Sequence, residues 1–188
     1  TAGKCLEWVK NHLALDEIGI YLKKTDVAED IESKYTNLYQ YLSSVIETVP
    51  AGCDGVIFTP WLHGNRCPFE GPEARGMFFN LSIETGKSEM IRAVVEGVCM
   101  HMRWMIETQD KKTKTSDTIR FVGDGALNAS TCQILADCTG KKVETVPSPQ
   151  NVGAVGAAVV VAAGLGLIAE ISDAGKLITA DNTYLPNK

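Results

Sequence analysis

The spacing of apolar residues changes several times along the first half of the chain. Between residues 2 and 15, apolar positions recur every three to four residues, which predicts a short amphipathic helix. The same spacing returns in residues 25–50 and predicts a second, longer helix that ends at Pro50. Residues 56–59 form instead a continuous β-branched and aromatic run next to Pro60, which predicts a buried strand.

The second half alternates between strand-like and helix-like patterns. Residues 76–84 predict a strand, and residues 85–109 show the longest helical pattern in the chain. Strands at 118–122 and 142–146 then alternate with helices at 127–138 and 152–163. This order predicts a parallel α/β unit. Turn residues accumulate in 171–188, where no closing element is predicted. We therefore divide one domain into a helical segment (1–50), an α/β core (51–170) and a tail (171–188).

Composition and charge narrow the classes of partner. The chain has 188 residues, of which 45% are hydrophobic and 22% charged, as in an ordinary globular domain. Its net charge is -5, and the one dense basic cluster, Lys111 to Lys114, is short and flanked by aspartates, so nucleic acid is not expected as a partner. The most apolar stretch, residues 152–168, contains four glycines and is short for a membrane span, so no membrane partner is expected.

Cysteine usage indicates a reducing compartment. The six cysteines form no C-x-x-C pair and three of them lie within apolar patterns, so we expect reduced thiols and a cytoplasmic protein. His63 and Cys67 are not followed by a second pair at ligand spacing. No metal site is therefore predicted in this chain.

The segment "GDGALN", residues 123–128, joins a predicted strand to a predicted helix. Gly123 and Gly125 lack Cβ, so the main chain there can adopt positive φ and can lie against a ligand. A helix that starts near Leu127 would offer free N–H groups to an anion. Nucleotide contact is the favoured interpretation.

Two alternatives to that interpretation stay open. The glycines could serve only the geometry of a tight turn. They also match the first part of the dinucleotide fingerprint G-x-G-x-x-G, with Glu144 about twenty residues later as a ribose ligand. Against this second alternative, Asn128 stands in place of the third glycine, and the fingerprint normally opens its domain.

Three longer segments resemble the C-terminal half of the FGGY carbohydrate kinases, and together they cover nearly the whole chain. They are "PWLHGNRCP", "GMFFNLSIETGKSEMIRAVVEG" and "GDGALNASTCQILADCTGKKVETVPSPQNVGAVGAA". Their order and spacing are also those of the family. The sequence departs from the family pattern at Asn65, where glutamate is usual, and at Asn80 and Asp124, where glycine is usual.

The resemblance implies an α/β fold, one ribonuclease-H-like lobe of the actin, hexokinase and Hsp70 ATPase fold. It implies ATP-dependent, Mg²⁺-assisted phosphorylation of a sugar or polyol, with xylulose suggested by overall likeness. Gly123, Gly125 and Ala126 are then expected to line the adenosine and α-phosphate, with Asp124 between the glycines and Asn128 and Ser130 at the helix start. Arg66 either lies at the cleft or is simply exposed or structurally paired.

The family's phosphate loop and catalytic aspartate lie before the point that matches Thr1, so no catalytic residue is expected in this chain. The chain alone is then expected to be an inactive fragment whose sugar substrate is bound through an N-terminal lobe. Where that lobe would pack, an apolar face would favour self-association, for example as a homodimer. A non-catalytic nucleotide-binding module remains the alternative from a different functional class.

Overall fold

The computed structural model describes residues 2–13 and 38–187, which belong to two compact units, Thr1–Thr115 and Ser116–Lys188. Helix α1, Ala2–His12, confirms the first predicted helix. Most of the predicted helix at 25–50 lies outside the described residues. Its described part contains helix α2, Leu38–Ile46.

The first unit combines a strand pair with one long helix. Strands β1, Ile57–Thr59, and β2, Met77–Phe79, pair antiparallel, and helix α3 spans Lys87–Asp110. All three confirm predicted elements. Asn80 follows β2 with φ of +64°, and its side-chain amide donates to the Gly55 carbonyl. Glycine is usual at this position of the family pattern because the backbone is left-handed here. Asn tolerates a left-handed backbone better than most other residues.

Helix α3 forms the centre of this unit, because α1, α2 and β1 all pack against it. The approach of β1 is so close that a Cβ on Gly97 would overlap the carbonyl oxygen of Phe58. The aromatic rings of Phe58 and Phe78 add a contact with centroids 4.8 Å apart. The side chains buried in this core include Val9, Leu42, Ile46, Phe58, Ile91 and Val94.

A buried ion pair connects α3 to the segment that follows α2. Arg92 Nε donates to Glu96 Oε1 at 2.7 Å, and both side chains are largely buried. Arg92 also donates to the carbonyls of Ile46 and Val49, while the Gly52 N–H donates to the Glu96 carboxylate. Each charged group therefore satisfies backbone atoms that would otherwise lack partners.

The second unit contains the predicted parallel strands. Strand β3, Thr118–Arg120, runs parallel to β4, Lys142–Glu144, in the register Ile119 opposite Val143, which confirms the prediction of a parallel unit. Helix α4, Ala129–Thr139, connects them and packs on β4. Its buried side chains and those of the strands include Cys132, Ile134, Leu135, Val143 and Val146.

The tail closes this sheet, contrary to the expectation that it holds no such element. After a short helix α6, Ala174–Leu177, strand β5, Thr183–Tyr184, pairs antiparallel with β4. Two hydrogen bonds between Thr145 and the chain at Asp181 and Asn182, of 2.9 and 3.0 Å, extend the pairing. A two-residue strand is too short to show an alternating pattern, so periodicity could not reveal it.

Helix α5, Val152–Gly164, is apolar on every side yet exposed. Val160 and Val161 each retain 59% of their accessible surface, and Leu165 beyond the helix retains 71%. None of the helices in the described parts of the chain is both long and apolar enough to cross a bilayer. The second unit therefore presents an apolar surface on the helix itself.

Candidate functional site

The glycine turn begins two residues after β3. Gly123 has φ of +88°, a conformation that favours glycine, and its N–H donates to the Pro149 carbonyl at 2.8 Å. A short 3-10 helix, Asp124–Leu127, follows directly. No atom of the residues that the structure describes lies within 4 Å of a Cβ built at Gly123, so this side of the turn is open.

Gly125 is present for a different reason, and the expectation of positive φ is wrong at this position. It lies inside the 3-10 helix with φ outside the left-handed range. A Cβ there would come 3.1 Å from Cζ of Phe121, closer than ordinary van der Waals contact. Close approach of the Phe121 ring, and not backbone conformation, therefore favours glycine at 125.

The turn presents backbone donors. Within the part of the chain that the structure describes, the N–H groups of Asp124 and Gly125 have no acceptor, whereas the Ala126 N–H donates to the Gly123 carbonyl. Ala126 is 7% exposed, so its methyl group faces inward, while Asp124 is exposed. Two consecutive N–H groups without an internal acceptor can donate to an anion.

Asn128 and Ser130 have different positions at the start of α4. Asn128 is 3% exposed and caps the helix, because its side-chain oxygen accepts the Thr131 N–H at 2.8 Å. Helix α4 consequently begins at Ala129, two residues later than predicted, and Leu127 belongs to the 3-10 turn. Ser130 is partly exposed in the first turn of α4. Asn128 thus fixes the turn, and Ser130 is the more accessible of the two.

The buried thiol of Cys132 contacts the glycine turn. Cys132 Sγ donates to the Ala126 carbonyl at 3.7 Å, and burial raises the pKa of this thiol to about 11. A thiol with such a pKa stays protonated near neutral pH and is a poor nucleophile. Cys132 therefore holds the turn by packing and hydrogen bonding.

A second turn, which the sequence analysis did not include, lies beside the first. Ser148 adopts φ of +50°, and the 3-10 helix Pro149–Asn151 leads directly into α5. Asn151 makes no side-chain cap, so the N-terminus of α5 is uncapped there. Both turns follow the carboxyl ends of the parallel strands β3 and β4, where α/β folds commonly bind ligands. The paired prolines of "PSPQN" were the available signal.

Two other residues considered from the sequence lie outside this arrangement. Glu144, which the dinucleotide alternative requires for a ribose, instead accepts from Lys142 at 2.7 Å and Arg120 at 3.0 Å. The Lys142 hydrogen bond is the main cause that lowers the pKa of Glu144. Arg66 belongs to the first unit, is exposed, and forms no hydrogen bond or ion pair with the described residues.

No group of three or more His, Cys, Asp or Glu side chains in residues 2–13 and 38–187 is arranged to hold a metal ion. Asp124 nevertheless provides one carboxylate at the turn. Because Mg²⁺ in phosphoryl-transfer sites is usually held by one or two carboxylates together with substrate phosphates, these residues fit the ion only in company with a nucleotide.

Solved structures show the fold to which this geometry belongs. The chain is similar to a ligand-bound xylulose kinase from Lactobacillus acidophilus, with a TM-score of 0.79 and 28% identity over 98% of this chain and 34% of that one. A glycerol kinase from Plasmodium falciparum, solved with ADP, has a TM-score of 0.72 at 20% identity. The expected α/β class and the ribonuclease-H-like lobe of the actin, hexokinase and Hsp70 fold are thereby confirmed, and a Rossmann domain is not.

Sequence comparison leads to the same group of proteins. A xylulose kinase from Bacillus subtilis is 29% identical over 128 residues, which are 68% of this chain and 26% of that protein. The chain thus spans about a third or less of the length of these relatives. The model of the FGGY family of carbohydrate kinases, C-terminal domain, matches residues 1–165. With most of its length inside that match, the chain belongs to the FGGY family of carbohydrate kinases.

Proposed function

We propose that this chain is the nucleotide-binding part of a longer ATP-dependent kinase that phosphorylates a sugar or polyol hydroxyl, with xylulose as the substrate. The observation that carries the proposal is the family match over residues 1–165, which includes both turns of the candidate site. Glycerol kinases and gluconate kinases are similar in sequence and in structure as well, but xylulose is favoured because xylulose kinases recur among the similar curated proteins.

The glycine turn is proposed to contact the nucleotide. Gly123, Asp124, Gly125 and Ala126 form the wall for the adenosine and α-phosphate of ATP or ADP. The open side of Gly123 and the two N–H groups of Asp124 and Gly125 support this role. Asn128 contributes through its helix cap, and Ser130 through its accessible position at the start of α4.

The carboxylate of Asp124 supports a particular position for Mg²⁺, next to the glycine turn. An exposed carboxylate next to a phosphate group is repulsive unless a cation lies between the two. We therefore place Asp124 near the magnesium ion that accompanies the nucleotide, which would neutralise phosphate charge during transfer. The catalytic base is assigned outside these 188 residues, as the family resemblance implies.

The six cysteines are free thiols, which supports a cytoplasmic location.

The experiment compares the 188-residue chain with the longer protein that contains it. We expect the longer protein to release ADP with xylulose faster than with glycerol or gluconate. We expect no sugar-dependent ADP release from the chain alone, because both lobes must position the phosphoryl group. Turnover by the chain alone near ~1 s⁻¹, the low end for kinases, would overturn the assignment of the base. ATP binding by the longer protein without phosphorylation of any sugar would indicate a non-catalytic module.

A further inference from the structure

The loop between β1 and β2 in the first unit is held rigidly by its own hydrogen bonds. Asn65 is 5% exposed, and its backbone exchanges two hydrogen bonds of 2.8 Å with Gly71. Its side-chain amide also donates to the Phe69 carbonyl at 2.8 Å. The next two residues, Arg66 and Cys67, therefore directly follow an anchored position of the loop. Such an anchored loop can hold a side chain in place before a ligand arrives.

This loop and helix α3 enclose a hollow of about 310 Å³. Val98, Met102 and Met105 form its wall on the helix, and Cys67 and Arg66 border it on the loop. Methionine side chains are flexible and polarisable, so such a wall can adapt to an apolar group. The volume is at the lower end of small-molecule sites.

His101 also lines the hollow without adding charge to it. Trp61 Nε1 donates to His101 Nδ1 at 3.5 Å, which requires that nitrogen to be unprotonated. Burial lowers the pKa of His101, against a smaller opposing effect of a hydrogen bond to the Cys67 backbone. The imidazole is consequently neutral near pH 7.

Arg66 is the single charged side chain among the described residues that line this hollow, and no carboxylate borders it. Glu70 and Arg75 line a separate hollow beside the loop, which Arg66 also borders. Arg75 is engaged locally, because its guanidinium donates to the carbonyls of Pro72 and Ala74. Arg66 has no such engagement with the described residues. The first hollow thus combines an apolar wall with one uncompensated positive charge.

We propose that this hollow binds a small organic acid, with the carboxylate on Arg66 and the apolar body against Val98, Met102 and Met105. A guanidinium accepts a carboxylate in a planar, bidentate arrangement, and one cation selects a monoanion. Burying the apolar body against the methionines adds the hydrophobic contribution. The site lies within the first unit, so the proposal does not rest on the assignment of the nucleotide turn in the second unit.

The test uses the longer protein that contains this chain, with its methionine methyl groups labelled for NMR. Benzoate is the probe, benzamide removes its charge, and acetate removes its apolar body. We expect benzoate to shift the methyl signals of Met102 and Met105 but not that of Met77, which lies on β2. We expect benzamide and acetate to bind at least ~10-fold more weakly than benzoate, because each lacks one of the two contacts.

Substitutions separate this site from nonspecific binding. Arg66→Gln should weaken benzoate at least ~10-fold and leave benzamide unchanged, whereas Arg66→Lys should restore part of the affinity. Because Arg66 is exposed and has no partner in the described chain, these variants should fold. Arg103→Gln is the control, since Arg103 lies on α3, the helix that forms one wall of the hollow, but does not itself line the hollow. Equal binding of benzoate and benzamide, or an unchanged affinity in Arg66→Gln, would refute the proposal.

Discussion

Gly123 and Gly140, at opposite ends of the segment formed by the glycine turn and α4, both have positive φ but lie in different backbone regions. Their φ angles are +88° and +66°, and within residues 2–13 and 38–187 no atom lies within 4 Å of a Cβ built on either. Gly140 ends α4, whereas Gly123 opens the proposed nucleotide turn. With ψ of -178°, Gly123 lies in a region that is essentially restricted to glycine, whereas Gly140, with ψ of 14°, is left-handed. A substitution is therefore more strained at Gly123, and only Gly123 is proposed to face a ligand.

Gly123→Ala should lower both the stability and the ATP affinity of the longer kinase, whereas Gly140→Ala should lower stability alone. The added methyl group costs about 1 kcal/mol of backbone strain at the left-handed Gly140 and up to about 3 kcal/mol at Gly123. At Gly123 it also occupies the open side where the nucleotide is proposed to lie. Calorimetric titration with ATP and a melting curve for each variant give the two quantities. Equal ATP affinities in the two folded variants would contradict the nucleotide assignment.

Gly125→Val tests the same turn from its packed side. The branched side chain cannot be accommodated without moving Phe121 or the turn, because the first added atom already lies 3.1 Å from the ring. We expect ATP affinity to fall by at least ~1.4 kcal/mol, about tenfold, with little change in sugar affinity. If the turn has only a structural role, stability should fall by roughly 1–3 kcal/mol while the folded protein binds ATP normally. Calorimetry with ATP and with the sugar distinguishes the two outcomes.

At the scale of one element, α3 carries two ion pairs of identical spacing and opposite burial. Arg92 and Glu96 are 13% and 8% exposed, whereas Arg103 and Glu107 are 55% and 52% exposed. The first pair also satisfies backbone groups at the end of α2 and after it, and the second is about half exposed to solvent. Their contributions to stability should therefore differ strongly.

Arg92→Met should destabilise the first unit by about 3 kcal/mol, because the Glu96 carboxylate loses its charged partner and the carbonyls of Ile46 and Val49 lose their donor. Arg103→Met is the matched control on the same helix and should cost less than ~1 kcal/mol. Urea unfolding followed by tryptophan fluorescence measures both, since all three tryptophans lie before residue 116. Similar losses in both variants would mean that burial does not decide the strength of these pairs.

At the scale of the whole molecule, the exposed apolar helix α5 should cause the chain to self-associate. Val160 and Val161 are each 59% exposed, and contiguous apolar surface of this kind favours association. The double variant Val160→Lys, Val161→Glu keeps the net charge and should shift the chain toward monomer. Ile83→Thr, which alters an exposed apolar side chain in the first unit, is the control. Light scattering at high concentration checks both, and a clean monomer for the unaltered chain would contradict the prediction.

Local patterns were sufficient for the order of strands β1 to β4 and helices α3 to α5, and for the place of the glycine turn. Regular apolar spacing predicted α3, and alternating strand and helix patterns predicted that β3 and β4 would be parallel. Two glycines between a strand and a helix located the turn because this geometry depends on few neighbouring residues. These helices, strands and turns depend on short stretches of chain, in which residue type and spacing determine the local structure.

Only the tertiary structure decided which contacts those residues make. The sequence could not show that the Phe121 ring packs closely against Gly125, or that the Asn128 side chain caps α4. It also could not show that β5 pairs with β4 in the sheet. Nor could it show that Arg66 borders an apolar hollow next to Met102. Each of these depends on atoms brought together by folding, and the free energy of such long-range packing and pairing is not contained in any local pattern.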